Sequence, residues 1–413
     1  MSRLAKKWKY IRVLFGVCLV CYAFAAQAQP SFTINNNYKR VKLPFKLVRN
    51  MIVVPLTINN KGPYNFVLDT GVGIVLITDP TLIDSINVAS KHLIKIVGLG
   101  TGNDYEAYIT TGLNFKFPDI TGTNISAAIL KEDQFSLSSY AGIPIHGLIG
   151  YEFFESFAVK INFSDSTLTV GALKNIRVFN KSNKLPITIE DRKPYLTTNV
   201  KFTDGRQLNC KLVIDLGAGH QLLLENQDNR NYVTMQKLIS ANLGVGLSGP
   251  ITGFLSRINE IELGNYKLKN IITSFIDSDS TKLNSIRRDG NLGINILKKF
   301  NLVIDYQSGA MYIKPGIHFN EPFEHDMSGM EYYVQGPDFK RIIINRVEQD
   351  SPADESGLEP GDEILGINFK TADKMTVEEI DDIFKSRADR SLLLEVVHNK
   401  KREMVILKLK RRI

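Results

Sequence analysis

Past residue 30 the chain is a succession of short apolar runs broken by turn residues. Ile52-Val53-Val54-Pro55-Leu56-Thr57-Ile58, Asn65-Phe66-Val67-Leu68, Leu212-Val213-Ile214, Leu302-Val303-Ile304 and Met311-Tyr312-Ile313 are examples. They are rich in β-branched residues and short, and helical periodicity is scarce, so the pattern predicts a mainly β protein. One amphipathic helix stands out near the C-terminus, with apolar positions at Val377, Ile380, Ile383 and Phe384. Strands over 342–347, 392–397 and 404–409 surround it, which predicts a small α/β unit there.

The pattern repeats. Phe66-Val67-Leu68-Asp69-Thr70-Gly71-Val72-Gly73 is matched by Leu212-Val213-Ile214-Asp215-Leu216-Gly217-Ala218-Gly219. Downstream, Gly147-Leu148-Ile149-Gly150 is matched by Gly290-Asn291-Leu292-Gly293, and each copy continues into a strand and a hairpin. Asp69 lies 81 residues before Gly150, and Asp215 lies 78 before Gly293. Two motifs in the same order at near-equal separation indicate an internal duplication. Five segments follow: a leader 1–28, lobes 35–177 and 178–316, a linker 317–328, and a C-terminal domain 329–413.

The leader changes the charge balance. Arg3, Lys6, Lys7, Lys9 and Arg12 precede an apolar run over 13–26, and Ala26-Gln27-Ala28 has the small-x-small form of a cleavage site. That order reads as a secretory signal, too short to span a bilayer comfortably. Of 51 basic residues five leave with it, and 46 against 43 acidic gives the mature chain a net charge of +3. Nothing then argues for nucleic acid. Cys18 and Cys21 leave as well, so Cys210 alone remains and no internal disulfide can form. An exported protein with one cysteine fits a bacterial periplasm or cell surface better than a eukaryotic secretory route.

An Asp at the end of an apolar strand, followed by x-Gly, sits in a turn that a Cβ would crowd. Two such lobes facing each other set two carboxylates side by side, and such a pair shares one proton. One carboxyl can then act as base on a water while the other acts as acid. No metal and no cofactor is required. The six histidines form no ligand pattern, and neither His-Glu-x-x-His nor Gly-x-Ser-x-Gly occurs.

Asp69-Thr70-Gly71 with Leu148-Ile149-Gly150 resembles the signature of retropepsin-type aspartic proteases, and its doubled form resembles the pepsin-like two-lobed layout. The resemblance implies two tandem β-barrel lobes, a catalytic pair Asp69 and Asp215, and a monomer that hydrolyses polypeptide. It implies support from Thr70, Gly71, Gly217, Gly150 and Gly293, and a substrate-covering flap with Gly98, Gly100 and Gly102 at its tip. Leu216 departs from the second threonine, and Val72 stands where Ser, Thr or Ala is expected. A degenerate peptide-binding protein is therefore the rival, and a homodimer pairing each lobe with its twin is a third arrangement.

The run Ser351-Pro352-Ala353 to Pro360-Gly361-Asp362-Glu363-Ile364-Leu365 resembles a PDZ domain. It implies capture of peptide C-termini by strand addition. Gly329, Met330 and Tyr332 are the expected carboxylate-binding residues, with Glu331 replacing the usual glycine.

Overall fold

The computed structural model describes residues 31–88, 90–96, 105–179, 183–225, 238–246, 249–276 and 286–413. The leader 1–28 and the flap glycines Gly98, Gly100 and Gly102 lie outside these residues. No helix among the described residues is long and apolar enough to cross a membrane.

The chain is mainly β, as its pattern predicts. Two of its sheets close on themselves. In the first, Met51–Ile58, Lys61–Leu68, Gly147–Ile149, Val75–Ile77, Ile120–Leu130 and Tyr105–Phe117 pair in that order, and the last returns to the first. In the second, Lys193–Lys201, Gln207–Asp215, Gly290–Gly293, Leu222–Glu225, Tyr266–Ile276 and Gly249–Leu263 do the same. The sense of pairing also agrees. Lys61–Leu68 runs parallel to Gly147–Ile149, and Gln207–Asp215 runs parallel to Gly290–Gly293. Closure leaves few free edges and buries both aspartate strands within their barrels.

Tight hairpins set the registers. Asn59-Asn60 and Asp191-Arg192 each join two strands with both residues in the left-handed region. Asn and Asp tolerate that conformation, and the mirror-image turn suits the twist of the strands it joins.

A six-stranded sheet joins the barrels. Its order is Asn183–Pro186, Ala310–Pro315, Phe300–Asp305, Ala158–Asn162, Thr167–Gly171, Arg40–Pro44. The two hairpins read from the sequence meet at its centre, with Val159 opposite Ile304 and Ile161 opposite Leu302. A cut at residue 177 therefore passes through a shared sheet, and a single buried cluster runs from Phe32 to Phe323 across both halves.

The segment expected as a linker is packed. Phe319 sits edge-on to Tyr266 and Phe300, Phe323 is buried, and Arg257 donates to the Phe323 carbonyl at 3.0 Å. Met327 is already in the separate core of the C-terminal unit. That unit is an open sheet ordered Met330–Gln335, Arg341–Val347, Glu363–Ile367, Ser391–His398, Lys401–Lys408, with the helix Val377–Phe384. Thr376 and Glu379 form a reciprocal cap at the start of that helix.

Candidate active site

The two aspartates come from equivalent strand ends. Each aspartate strand is backed by a short parallel strand, with Ile149 opposite Leu68 and Gly293 opposite Asp215; Gly293 ends the second of these strands and Gly150 directly follows the first. The loops beyond are tied alike: Tyr151 N–H donates to the Val72 carbonyl at 3.2 Å, and Ile294 N–H to the Ala218 carbonyl at 3.0 Å. A Cβ at Gly150 would strike the carbonyl oxygens of Asp69 and Val72, and one at Gly293 those of His220 and Ala218. Glycine is thus required where each backing strand meets its aspartate loop.

The structure brings the expected residues together. The Asp69 and Asp215 carboxyls converge on one point between the halves. A Cβ at Gly71 would lie 3.0 Å from both Asp215 oxygens and from Asp69 Oδ1. A Cβ at Gly217 would fall on the Asp69 carboxyl itself. Each loop's glycine therefore presses on the carboxyl from the other half, and the pair sits between them.

Donors are distributed unequally. Asp69 Oδ1 accepts from the Gly71 N–H at 2.6 Å. Asp215 Oδ1 accepts from the N–H groups of Gly217 and Ala218, both at 3.0 Å, and its Oδ2 accepts from Asn291 Nδ2 at 2.7 Å. Asp69 is buried, whereas Asp215 is half-buried. Burial, reinforced by the negative charge of Asp215, pushes the Asp69 carboxyl up to about 8. Three donors converge on Asp215, and its own raised carboxyl favours a protonated Asp69.

Thr70 is fully buried and crosses between the halves. Its hydroxyl donates to the Ile214 carbonyl at 2.6 Å and accepts from the Leu216 N–H at 3.0 Å. Leu216, also fully buried, has no hydroxyl to return the exchange. The crossing that the family resemblance implies is thus made from one side only.

Two contributors were not singled out from the sequence. Asn291 occupies the position of Leu148 in the matched motif, so an amide where the other copy has an apolar side chain was the available signal. His220 is half-buried beside Asp215, and burial lowers its pKa and keeps it neutral. The strands flanking the expected flap pair as a hairpin, with Ile96 opposite Tyr105 and Lys95 opposite Glu106. Among the described residues no group of three or more His, Cys, Asp and Glu side chains could hold a metal ion.

In the C-terminal unit the expected carboxylate-binding residues serve other ends. Met330 and Tyr332 are buried in the core. The Tyr332 hydroxyl donates to the Val377 carbonyl at 3.0 Å and to Asp381 at 2.6 Å. Gly329 has φ +78°, and a Cβ there would strike Ser351.

Residues 54–153 match the aspartyl protease family, and residues 343–397 match the PDZ domain family. The first match contains Asp69, Thr70, Gly71 and Gly150 and ends before Asp215. A comparison with curated proteins finds no match. The chain thus carries an aspartyl protease domain followed by a PDZ domain, and the PDZ family implies peptide binding.

Proposed function

We propose that this chain is an exported, monomeric aspartic endopeptidase built from two copies of one lobe. Asp69 and Asp215 are its catalytic pair. The observation that carries the reading is the convergence of two carboxyls of unequal donor supply between Gly71 and Gly217. Asp215, ionised, takes a proton from a water poised between the pair. The water oxygen bonds to the peptide carbonyl carbon, and Asp69 gives its proton to the carbonyl oxygen. The resulting gem-diol collapses with loss of the C–N bond. The proton held by Asp215 passes to the leaving amine, and the hydroxyl proton returns to Asp69. One water is consumed and no covalent intermediate forms.

The basic-then-apolar order of residues 1–28 supports export to a bacterial periplasm or surface. The agreement of strand order and pairing sense between the barrels supports duplication. Family membership of the C-terminal unit supports a peptide-docking role.

Leu216 favours a second reading, a peptide-binding protein without turnover. The two separate on one experiment. Residues 29–413 with Asp69→Asn or Asp215→Asn are compared with wild type on a quenched-fluorescence peptide library from pH 4 to 8. Loss of general acid–base chemistry should lower cleavage by about 10²–10⁴-fold with the circular dichroism spectrum unchanged. Equal cleavage by both variants and wild type rejects the pair. Peptide binding without cleavage in wild type selects the second reading.

A further inference from the structure

A PDZ domain takes an extended segment beside an exposed sheet edge. Here Met330–Gln335 ends the sheet and, among the described residues, pairs only with Arg341–Val347. Its Tyr332 reaches across to the helix Val377–Phe384. Strand and helix bound a groove, and the groove is filled by the first lobe.

Arg49 is the anchor. It lies at the tip of the hairpin joining Lys46–Val48 to Met51–Ile58, with φ +43°. Its Nε and Nη2 fork onto the two Asp381 oxygens at 3.1 and 2.8 Å. Nη1 donates to the carbonyls of Tyr140 at 2.9 Å and Tyr332 at 3.4 Å. The guanidinium lies 4.3 Å from the Tyr332 ring centre and 4.5 Å from that of Tyr140. The Arg49 N–H donates to Glu378 at 3.1 Å. Deeper in the groove, a Cβ at Gly142 would lie 3.1 Å from Val377 and 3.5 Å from Val334, touching helix and strand at once.

The donors that a terminal carboxylate would need are also spent. Asp326 Oδ1 accepts from the N–H groups of Ser328 and Gly329 at 3.0 and 2.8 Å and from the Ser328 hydroxyl at 2.7 Å. Met330 N–H donates to that same hydroxyl at 3.2 Å. A second carboxylate brought to this loop would meet a carboxylate already in place.

We propose that the ligand of this PDZ groove is the chain's own first lobe, recognised through Arg49 and residues 140–142, and that the domain does not capture free C-termini. Docking also reaches the catalytic strands. Ala141 and Ile145 pack with Met51, Val53 and Val67, and Leu148 lies against them. Val67 is on the strand leading to Asp69, and Leu148 is on the strand behind it. The domain thus braces one aspartate loop of the proposed pair from outside the barrel. The inference replaces the role of docking free peptides and does not rest on the catalytic pair, and its readouts require no cleavage.

The test uses residues 29–413 carrying Cys210→Ser. The pair Gly142→Cys with Val377→Cys should close to an intrachain disulfide under mild oxidation, seen as a faster band on a non-reducing gel. Gly142→Cys with Met404→Cys, on the far strand Lys401–Lys408, should stay open. A folded Gly142/Val377 variant that stays open overturns docking. Independently, Arg49→Glu should speed amide exchange over 330–335 by about tenfold or more, and adding Asp381→Arg should restore protection. Unchanged exchange in Arg49→Glu also overturns docking. Fluorescein-labelled random decapeptides with free carboxylates should show no more polarisation change than their amides. Binding that depends on the free carboxylate overturns the exclusion of C-termini.

Discussion

The two aspartate loops share a scaffold and differ in chemistry. Both leave a barrel strand backed by a parallel strand, with a glycine at or just past its end. Yet the first loop holds a buried carboxyl with one backbone donor, and the second holds a half-buried one with two backbone donors and an amide. The first supplies the crossing hydroxyl, and the second receives it. A symmetric scaffold thus carries an asymmetric pair, which in the proposed mechanism is the difference between an acid and a base. The departure at Leu216 and the amide at Asn291 fall in the same half. What that half lacks as a crossing hydroxyl it has as an extra donor to its own carboxylate.

The glycines break the comparison hardest. A methyl at Gly217 would land on the Asp69 carboxyl, whereas one at Gly71 meets carboxylate oxygens at 3.0 Å. Gly217→Ala must displace Asp69, and a displacement near 1 Å costs about 10²-fold in rate. Gly71→Ala needs only a small shift and should lose less. Steady-state kcat on a fluorogenic peptide measures both, and equal losses would mean that the halves respond alike. Next is Thr70→Val. It keeps the volume but leaves the buried Leu216 N–H without its acceptor, at a cost of about 1–3 kcal/mol. Urea unfolding should show that loss, and no loss would mean that the halves are not tied through this hydroxyl.

Much of this site is legible in the sequence because its constraints are local. An Asp-x-Gly turn after an apolar strand, and a glycine behind it at matched spacing, are demanded by backbone contacts within each half. The shared sheet is not legible in the same way. Its hairpins 159–170 and 302–313 can be read, but the pairing of Val159 with Ile304 depends on how whole barrels meet. Residues 317–328 read as a linker because Pro322 and several polar residues interrupt them, while Phe319 and Phe323 bury against strands distant in sequence. Arg49 reads as an ordinary basic turn residue, since nothing near it reveals Asp381, 332 positions away. The PDZ groove residues follow the same rule: the domain is local in its signature, and its occupant is remote.

The subtlest test sharpens the acid–base assignment at Asn291. Its amide donates to Asp215, which the proposed mechanism uses as base. Asn291→Leu copies the residue at Leu148 and removes that donor without shortening the side chain. Losing one hydrogen bond to a charged group, worth about 1.5–3 kcal/mol, should lower kcat/KM by about tenfold or more. The basic limb of the kcat/KM profile is set by loss of the Asp69 proton near pH 8 and should stay in place. The same raised carboxyl carries a sign for stability. Its folded value exceeds the unfolded one, so its contribution is full below about pH 4 and lost as pH rises through 8. Wild type should therefore lose melting temperature relative to Asp69→Asn between pH 5 and 9, while Asp215→Asn sheds the repulsion that raises Asp69 and flattens that dependence. An unchanged kcat/KM in Asn291→Leu would mean that the amide does not support Asp215, and a displaced basic limb would mean that it acts on the pair as a unit.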